Sequence, residues 1–140
     1  MTLNPSSTAV VVDASVAIAS LMGEDVATGA WADWLDRGAM LLAPCIVWPE
    51  IGNALVRGMG LGAADAMRLL GMIRRSGLES ADRGPDGIDH ALELAARHRL
   101  TVYDAAYLSL AIDIDAELAT LDRQLARAAA AEGVPLAFVT

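Results

Sequence analysis

Lysine is absent from this 140-residue chain; its ten basic residues are all arginine. That excludes a Walker-type phosphate loop, whose lysine reaches the nucleotide phosphates, and every mechanism that runs through a lysine Schiff base. Cysteine occurs once, at Cys45, so no internal disulfide and no multi-cysteine metal site can form. Two histidines, His90 and His98, stand eight apart without an H-E-x-x-H pattern, which leaves no zinc motif. Aromatic residues make up 4% of the chain. No apolar run reaches the roughly 18 residues that a membrane span needs. The opening stretch, residues 1–8, has neither a basic start nor an apolar segment of signal-peptide type, and the expected compartment is the cytoplasm.

What is present is apolar and acidic. Hydrophobic residues make up 55% and the formal net charge is −8. A chain of this size and composition folds as one domain, expected here over residues 1–140. The negative charge argues against tight non-specific nucleic-acid binding, which depends on neutralising phosphates. It does not argue against a metal enzyme, because a bound cation reverses the local sign of a carboxylate cluster.

Short β-branched or apolar runs alternate with helical stretches. Strands are expected at 9–12, 39–43, 77–80, 117–120 and 136–139, and helices at 16–21, 24–37, 46–57, 63–75, 88–98, 104–111 and 122–131. This alternation predicts an α/β fold with a mainly parallel sheet. In the helix at 88–98, Ile88, Ala91, Leu92 and Ala95 are expected to face inward. Trp31 and Trp34 read as core, and Cys45 as a small buried hydrophobe. The glycines at 58, 60 and 62 mimic a dinucleotide fingerprint, but no strand precedes them, so they read as a helix-to-helix turn.

Four acidic residues stand out by position. Asp13 follows the first strand in Val-Val-Asp-Ala-Ser, Glu50 lies in Pro-Glu-Ile-Gly-Asn-Ala-Leu, Asp104 in Tyr-Asp-Ala-Ala-Tyr-Leu-Ser-Leu-Ala, and Asp122 in Ala-Thr-Leu-Asp-Arg-Gln-Leu. Taken singly, Asp13, Asp104 and Asp122 each suit a helix N-cap, and Glu50 suits a solvated helix face. Strand ends in such folds open onto the functional crevice, which is where Asp13 and Asp122 should point. Ser15, Asn53 and Thr120 are candidates to bond these carboxylates or a metal-bound water, with local turn bonding as the alternative. Pro49 has no N–H to donate, so the Glu50 helix should start late or bend there.

In this order and context, the four segments resemble the PIN-domain nucleases, most closely the VapC-type toxins of toxin–antitoxin pairs. The resemblance runs from about Val10 to the C-terminus. It implies a three-layer sandwich with a five-stranded sheet flanked by helices. It also implies that Asp13, Glu50, Asp104 and Asp122 converge to bind Mg²⁺ or Mn²⁺ and hydrolyse an RNA phosphodiester. Oxygen-only ligands suit such hard cations. The resemblance further implies a VapB-like antitoxin partner that docks on an apolar helical groove, with Trp31 or Trp34 a candidate for its wall, and lays a peptide across the acidic groove with an arginine competing for the carboxylates, together with a homodimer and a larger toxin–antitoxin assembly. Arg57, Arg74, Arg75, Arg97 and Arg99 are arginines available to RNA phosphates. A receiver-like signalling domain has a similar acidic pocket but needs a lysine, as do haloacid-dehalogenase phosphatases. A catalytically silent PIN fold is the remaining alternative.

Overall fold

A computed structural model describes residues 9–138. The opening stretch read for a leader therefore lies outside the described residues, as does Val139 of the expected last strand. Four parallel strands, β1 (Ala9–Val12), β2 (Met40–Ala43), β3 (Leu78–Ser80) and β4 (Glu117–Ala119), form one sheet in the order β3-β2-β1-β4. Seven α-helices connect or follow them: α1 (Ala14–Leu21), α2 (Asp25–Asp36), α3 (Val47–Asn53), α4 (Ala63–Arg75), α5 (Pro85–His98), α6 (Val102–Asp113) and α7 (Arg123–Ala131). Val10, Val11 and Val12 are all fully buried. Successive strand residues point to opposite faces, so helices must cover both sides of the sheet. That is why β1 is a continuous apolar run rather than an alternating one.

The fifth strand is corrected to a single bridge. Leu136 pairs in parallel with Leu118, through Leu118 N–H to Pro135 C=O (2.9 Å) and Ala137 N–H to Leu118 C=O (2.9 Å). Pro135 has no N–H to extend the ladder toward α7, so among the described residues the sheet has four strands. Two further expectations are revised. In α5 the inward face is Ala91, Leu94 and Ala95, while Ile88 and Leu92 are exposed. Cys45 is exposed too, in the turn that follows β2. Gly58 to Gly62 is the turn expected, reached through a π-helical turn at Ala54–Gly58 and closed by Gly60 at φ 71°. Among the described residues, no helix is long and apolar enough to cross a membrane.

Trp31 and Trp34 are both buried in the core, and Trp31 also lines a shallow depression with Leu21, Met72 and Ile73. Trp34 stacks on Phe138 (6.1 Å between ring centroids) and lies 6.4 Å from the tilted Trp31 ring. Trp31 spends its indole N–H on the Ser76 carbonyl (3.2 Å). Truncating a buried tryptophan leaves a cavity that the surroundings fill only in part. Trp34→Ala is therefore expected to cost about 3–5 kcal/mol. Urea unfolding should show a lower midpoint at an unchanged slope.

Candidate active site

The strand order places the site. From β1 the chain moves outward to β2 and β3, then returns to β4 on the other side of β1. This reversal opens a crevice between the carboxyl ends of β1 and β4. Asp13 leaves β1 there, and its N–H still holds the Ala119 carbonyl of β4 (3.1 Å). Asp13 also caps α1: its Oδ1 accepts from Val16 N–H (3.1 Å) and from the Ser15 hydroxyl (2.5 Å). Its Oδ2 accepts from the Thr120 hydroxyl. The cap and the functional position are thus one residue, and the side chain is 5% exposed.

Ser15 and Thr120 tie Asp13 to the segment that carries Asp122. The Ser15 oxygen accepts from Leu121 N–H (3.1 Å), and the Thr120 oxygen accepts from Asp122 N–H (3.0 Å). Asp122 caps α7 through Gln124 N–H (2.8 Å) and Leu125 N–H (3.1 Å), both to Oδ1. Asp104 is not a cap. Thr101 caps α6 by accepting the Asp104 N–H (3.0 Å), which leaves the Asp104 carboxylate in the first turn with its oxygens uncommitted to the helix. There it faces the positive end of the helix dipole.

Glu50 comes from α3. Pro49 sits in the first turn of that helix, where backbone N–H groups have no intrahelical partner anyway. The helix therefore runs through it, and Glu50 N–H reaches the Ile46 carbonyl (3.1 Å). The Glu50 side chain is held by the Tyr107 hydroxyl, which donates to Oε1. From the sequence, Tyr107 shares one face of its helix with Leu108 and Ala111, the apolar face. It is buried as expected, but its phenol oxygen is a site group. The available signal was its spacing of three from Asp104, which puts both on one side of α6. Asn53, by contrast, lines the depression beside Glu50 with Ile46, Pro49 and Tyr103 but makes no hydrogen bond to it.

The electrostatics centre on Asp104. Burial pushes the Asp13 carboxyl up to about 6, against the pull of the Ser15, Thr120 and Val16 bonds, and the Asp104 charge adds to the rise. Burial raises Glu50, offset by Tyr107 and reinforced by Asp104. Burial and then the Asp122 charge raise Asp104 itself, with the Thr101 bond opposing. Burial first, then Glu50, keeps the Tyr107 phenol protonated. Among the described residues, none of the four carboxylates is ion-paired with an arginine. Among the described residues, no three Asp, Glu, His or Cys side chains close into a ready-made cage. Such a donor set fits a hard divalent ion that keeps several of its waters and takes one or two carboxylates.

Tyr107→Phe removes one hydrogen bond and frees Glu50 to rotate. The expected stability loss is about 1 kcal/mol. Orienting partners of metal ligands are worth roughly 10–100-fold, so the variant should weaken divalent-ion binding by that factor. Titration of the ion against the wild type and the variant measures both effects.

Comparison with known proteins agrees with this architecture. A 36-residue stretch, 26% of this chain, is 61% identical to Ribonuclease VapC3 of Pyrobaculum aerophilum; the match spans only 28% of that relative's length. The crystal structure of PAE2754 from the same organism superposes with a TM-score of 0.67 at 27% identity, covering 86% of this chain and 84% of that one. VapBC2 of Rickettsia felis, solved bound to a DNA fragment from its promoter, shares the fold at a TM-score of 0.70 and 16% identity, over 92% and 97% of the two chains. The PIN domain family profile matches residues 10–131. A match that runs from the first strand through the last helix settles the ancestry: the chain belongs to the PIN-domain family.

Proposed function

We propose that this chain is a divalent-metal-dependent ribonuclease that acts as the toxin of a toxin–antitoxin pair and is silenced by a VapB-like antitoxin. The observation that carries the reading is the set of four carboxylates at the β1/β4 crevice, three of them (Asp13, Glu50 and Asp104) raised in pKa and none, among the described residues, paired with an arginine. Uncompensated carboxylates held near one another ask for a cation. Asp13, Glu50, Asp104 and Asp122 would hold Mg²⁺ or Mn²⁺. When bound, the ion supplies an activated water and charge neutralisation at the phosphate. The chain's own groups do the positioning. Ser15 and Thr120 lock the Asp13 oxygens, Tyr107 aims Glu50, and Thr101 leaves the Asp104 carboxylate clear of the helix backbone.

The likeness to Ribonuclease VapC3 supports RNA as the substrate and the VapC type as the kind of nuclease. A groove between α3 and α4 supports an antitoxin site. It is walled by Val56, Ala66, Met67 and Leu70, and its rim residues Pro49 and Asn53 also line the depression at Glu50. An amphipathic segment in this groove would run directly onto the carboxylates. A homodimer, a larger assembly with antitoxin, and action in the cytoplasm belong to the same proposal.

The test is incubation of antitoxin-free protein with total cellular RNA and Mg²⁺ or Mn²⁺. Discrete cleavage that disappears in EDTA and on adding the cognate antitoxin is expected. Cleavage that persists in EDTA would overturn the metal mechanism, and cleavage unchanged by antitoxin would overturn the toxin assignment.

A further inference from the structure

The carboxyl edge of the sheet extends past the acids to β2 and β3, and a second cavity of about 270 Å³ opens there. Pro44 leaves β2 and Asp82 and Arg83 leave β3 at this edge, while Ile88 of α5 and Ala106 and Leu110 of α6 supply apolar walls. Arg83 is held from three directions. Its Nε forms an ion pair with Asp113 (2.9 Å), and its Nη1 approaches the Ser109 hydroxyl and His90 Nδ1 (3.4 Å each). Ser109 and His90 are themselves bonded at 2.8 Å, and Ser109 is buried. Nη2 makes no hydrogen bond among the described residues. Asp82 Oδ1 accepts Cys45 N–H (3.2 Å), and its second oxygen makes no hydrogen bond among them either.

An arginine fixed this firmly presents a preorganised fork of donors. Its charge is already balanced by Asp113, and Asp82 and Asp86 stand close by in sequence, so the cavity holds no net attraction for a phosphate. Its chemistry suits a base. The aliphatic side chains of Ile88, Ala106 and Leu110 can pack against the face of an unstacked ring, and the Arg83 guanidinium offers a planar surface of the kind on which single-stranded RNA bases stack. An arginine fork matches the adjacent O6 and N7 acceptors of guanine, and an aspartate oxygen matches that base's amino donor. We propose that this cavity is a base-recognition subsite for a guanine flanking the scissile phosphate, with Arg83 and Asp82 as its specificity residues and Ser109, His90 and Asp113 positioning Arg83. The proposal rests on the reading of the chain as a ribonuclease. α6 links the two places: it carries Asp104 in its first turn and Ser109 five residues on, about 7.5 Å further along the axis and on another face of the helix, so an RNA strand bound at the acids would reach the cavity by passing round α6.

Two readouts test it separately from the nuclease reading. First, the wild-type protein is titrated with each of the four nucleoside monophosphates while amide and methyl NMR signals are followed. Guanosine monophosphate should shift Gly87, Ile88 and Ser109, the other three should shift them less, and Arg83→Ala should abolish the difference. No shift at those residues with any nucleotide overturns the subsite, whether or not the protein cuts RNA. Second, cut ends from an RNA pool are sequenced. Guanine at one fixed position beside the cut is expected, with a preference of roughly 10-fold or more that Arg83→Ala and Arg83→Lys both erase. If Arg83 only ties the β3–α5 loop to α6, Arg83→Ala lowers stability and slows all RNAs equally while base preference persists, which overturns the proposal. Absence of cleavage by the wild type, alongside guanine-specific shifts, would instead strike the nuclease reading alone.

Discussion

Asp104→Asn is expected to abolish metal-dependent RNA cleavage while leaving the fold intact. Asp104 is the carboxylate whose charge reaches the others: it raises Asp13 and Glu50 and is itself raised by Asp122. A residue coupled to three others across three connections of the fold occupies the centre of the site. Removing an orienting partner of a metal ligand costs roughly 10–100-fold, so on the proposed metal reading the loss of the Asp104 carboxylate itself should exceed about 100-fold. The fold should survive, because the bond that starts α6 runs from the Asp104 backbone N–H to the Thr101 hydroxyl and does not involve the side chain. Circular dichroism and the urea midpoint report on that, and cleavage rate at saturating Mn²⁺ reports on activity. Asp122→Asn makes a sharp contrast. Asparagine caps helices as well as aspartate does, so α7 keeps its cap and only the charge is lost. Its activity should fall less than that of Asp104→Asn, since its charge acts on Asp104 alone and its backbone bond to Thr120 survives the substitution.

Where the sequence was legible, a local pattern coincided with a tertiary demand. Val10 to Val12 could only be a strand buried on both faces, and the residue that ends it had to stand at the sheet's carboxyl edge. The positions of Asp13 and Asp122 follow from that alone. Ser15 was legible as a partner because it lies two residues from Asp13, and Thr120 because it lies two residues from Asp122, although the carboxylate it bonds is that of the distant Asp13. The depth of Tyr107 was legible, but its bond to Glu50 was not. That contact joins residues 57 positions apart, and no spacing rule links α3 to α6. Arg83 escaped notice for the same reason: a lone arginine before Gly84-Pro85 looks like a solvated loop residue until Asp113, Ser109 and His90 close around it. Helix periodicity misplaced Ile88 and Leu92 because α5 packs on α6 through small residues and Leu94, leaving its larger residues at the flanks. The π-helical turn at Ala54–Gly58 leaves no mark in composition at all.

The metal-free protein is expected to lose stability as pH rises from 5 to 7.5, and a divalent cation should restore it. Asp13 carries this effect. Its ordinary value is 3.8 and its folded value is about 6. A folded pKa above the unfolded one means that the native state holds its proton longer, so the unfolded state is the better acid between those values. The stabilisation is complete below about pH 4 and is lost as pH climbs through 6. Two pKa units correspond to about 3 kcal/mol in all, of which about 1.4 kcal/mol falls between pH 5 and 7.5. Glu50 and Asp104 are raised as well and push in the same direction. Glu132 is lowered by His98 and Arg97, but its contribution is lost only below its ordinary range near 4.5, outside this interval. Urea unfolding in EDTA across the interval measures the slope. Asp13→Asn should flatten most of it, because an amide at that position carries no charge to desolvate. At pH 7.5, Mg²⁺ or Mn²⁺ at a hundred times its dissociation constant should return about 2.7 kcal/mol to the wild type, and far less to Asp13→Asn. A wild-type slope of the opposite sign would mean that the Ser15 and Thr120 hydroxyls outweigh burial and hold Asp13 ionised without a metal. The site would then be built to present a bare carboxylate rather than to wait for a cation.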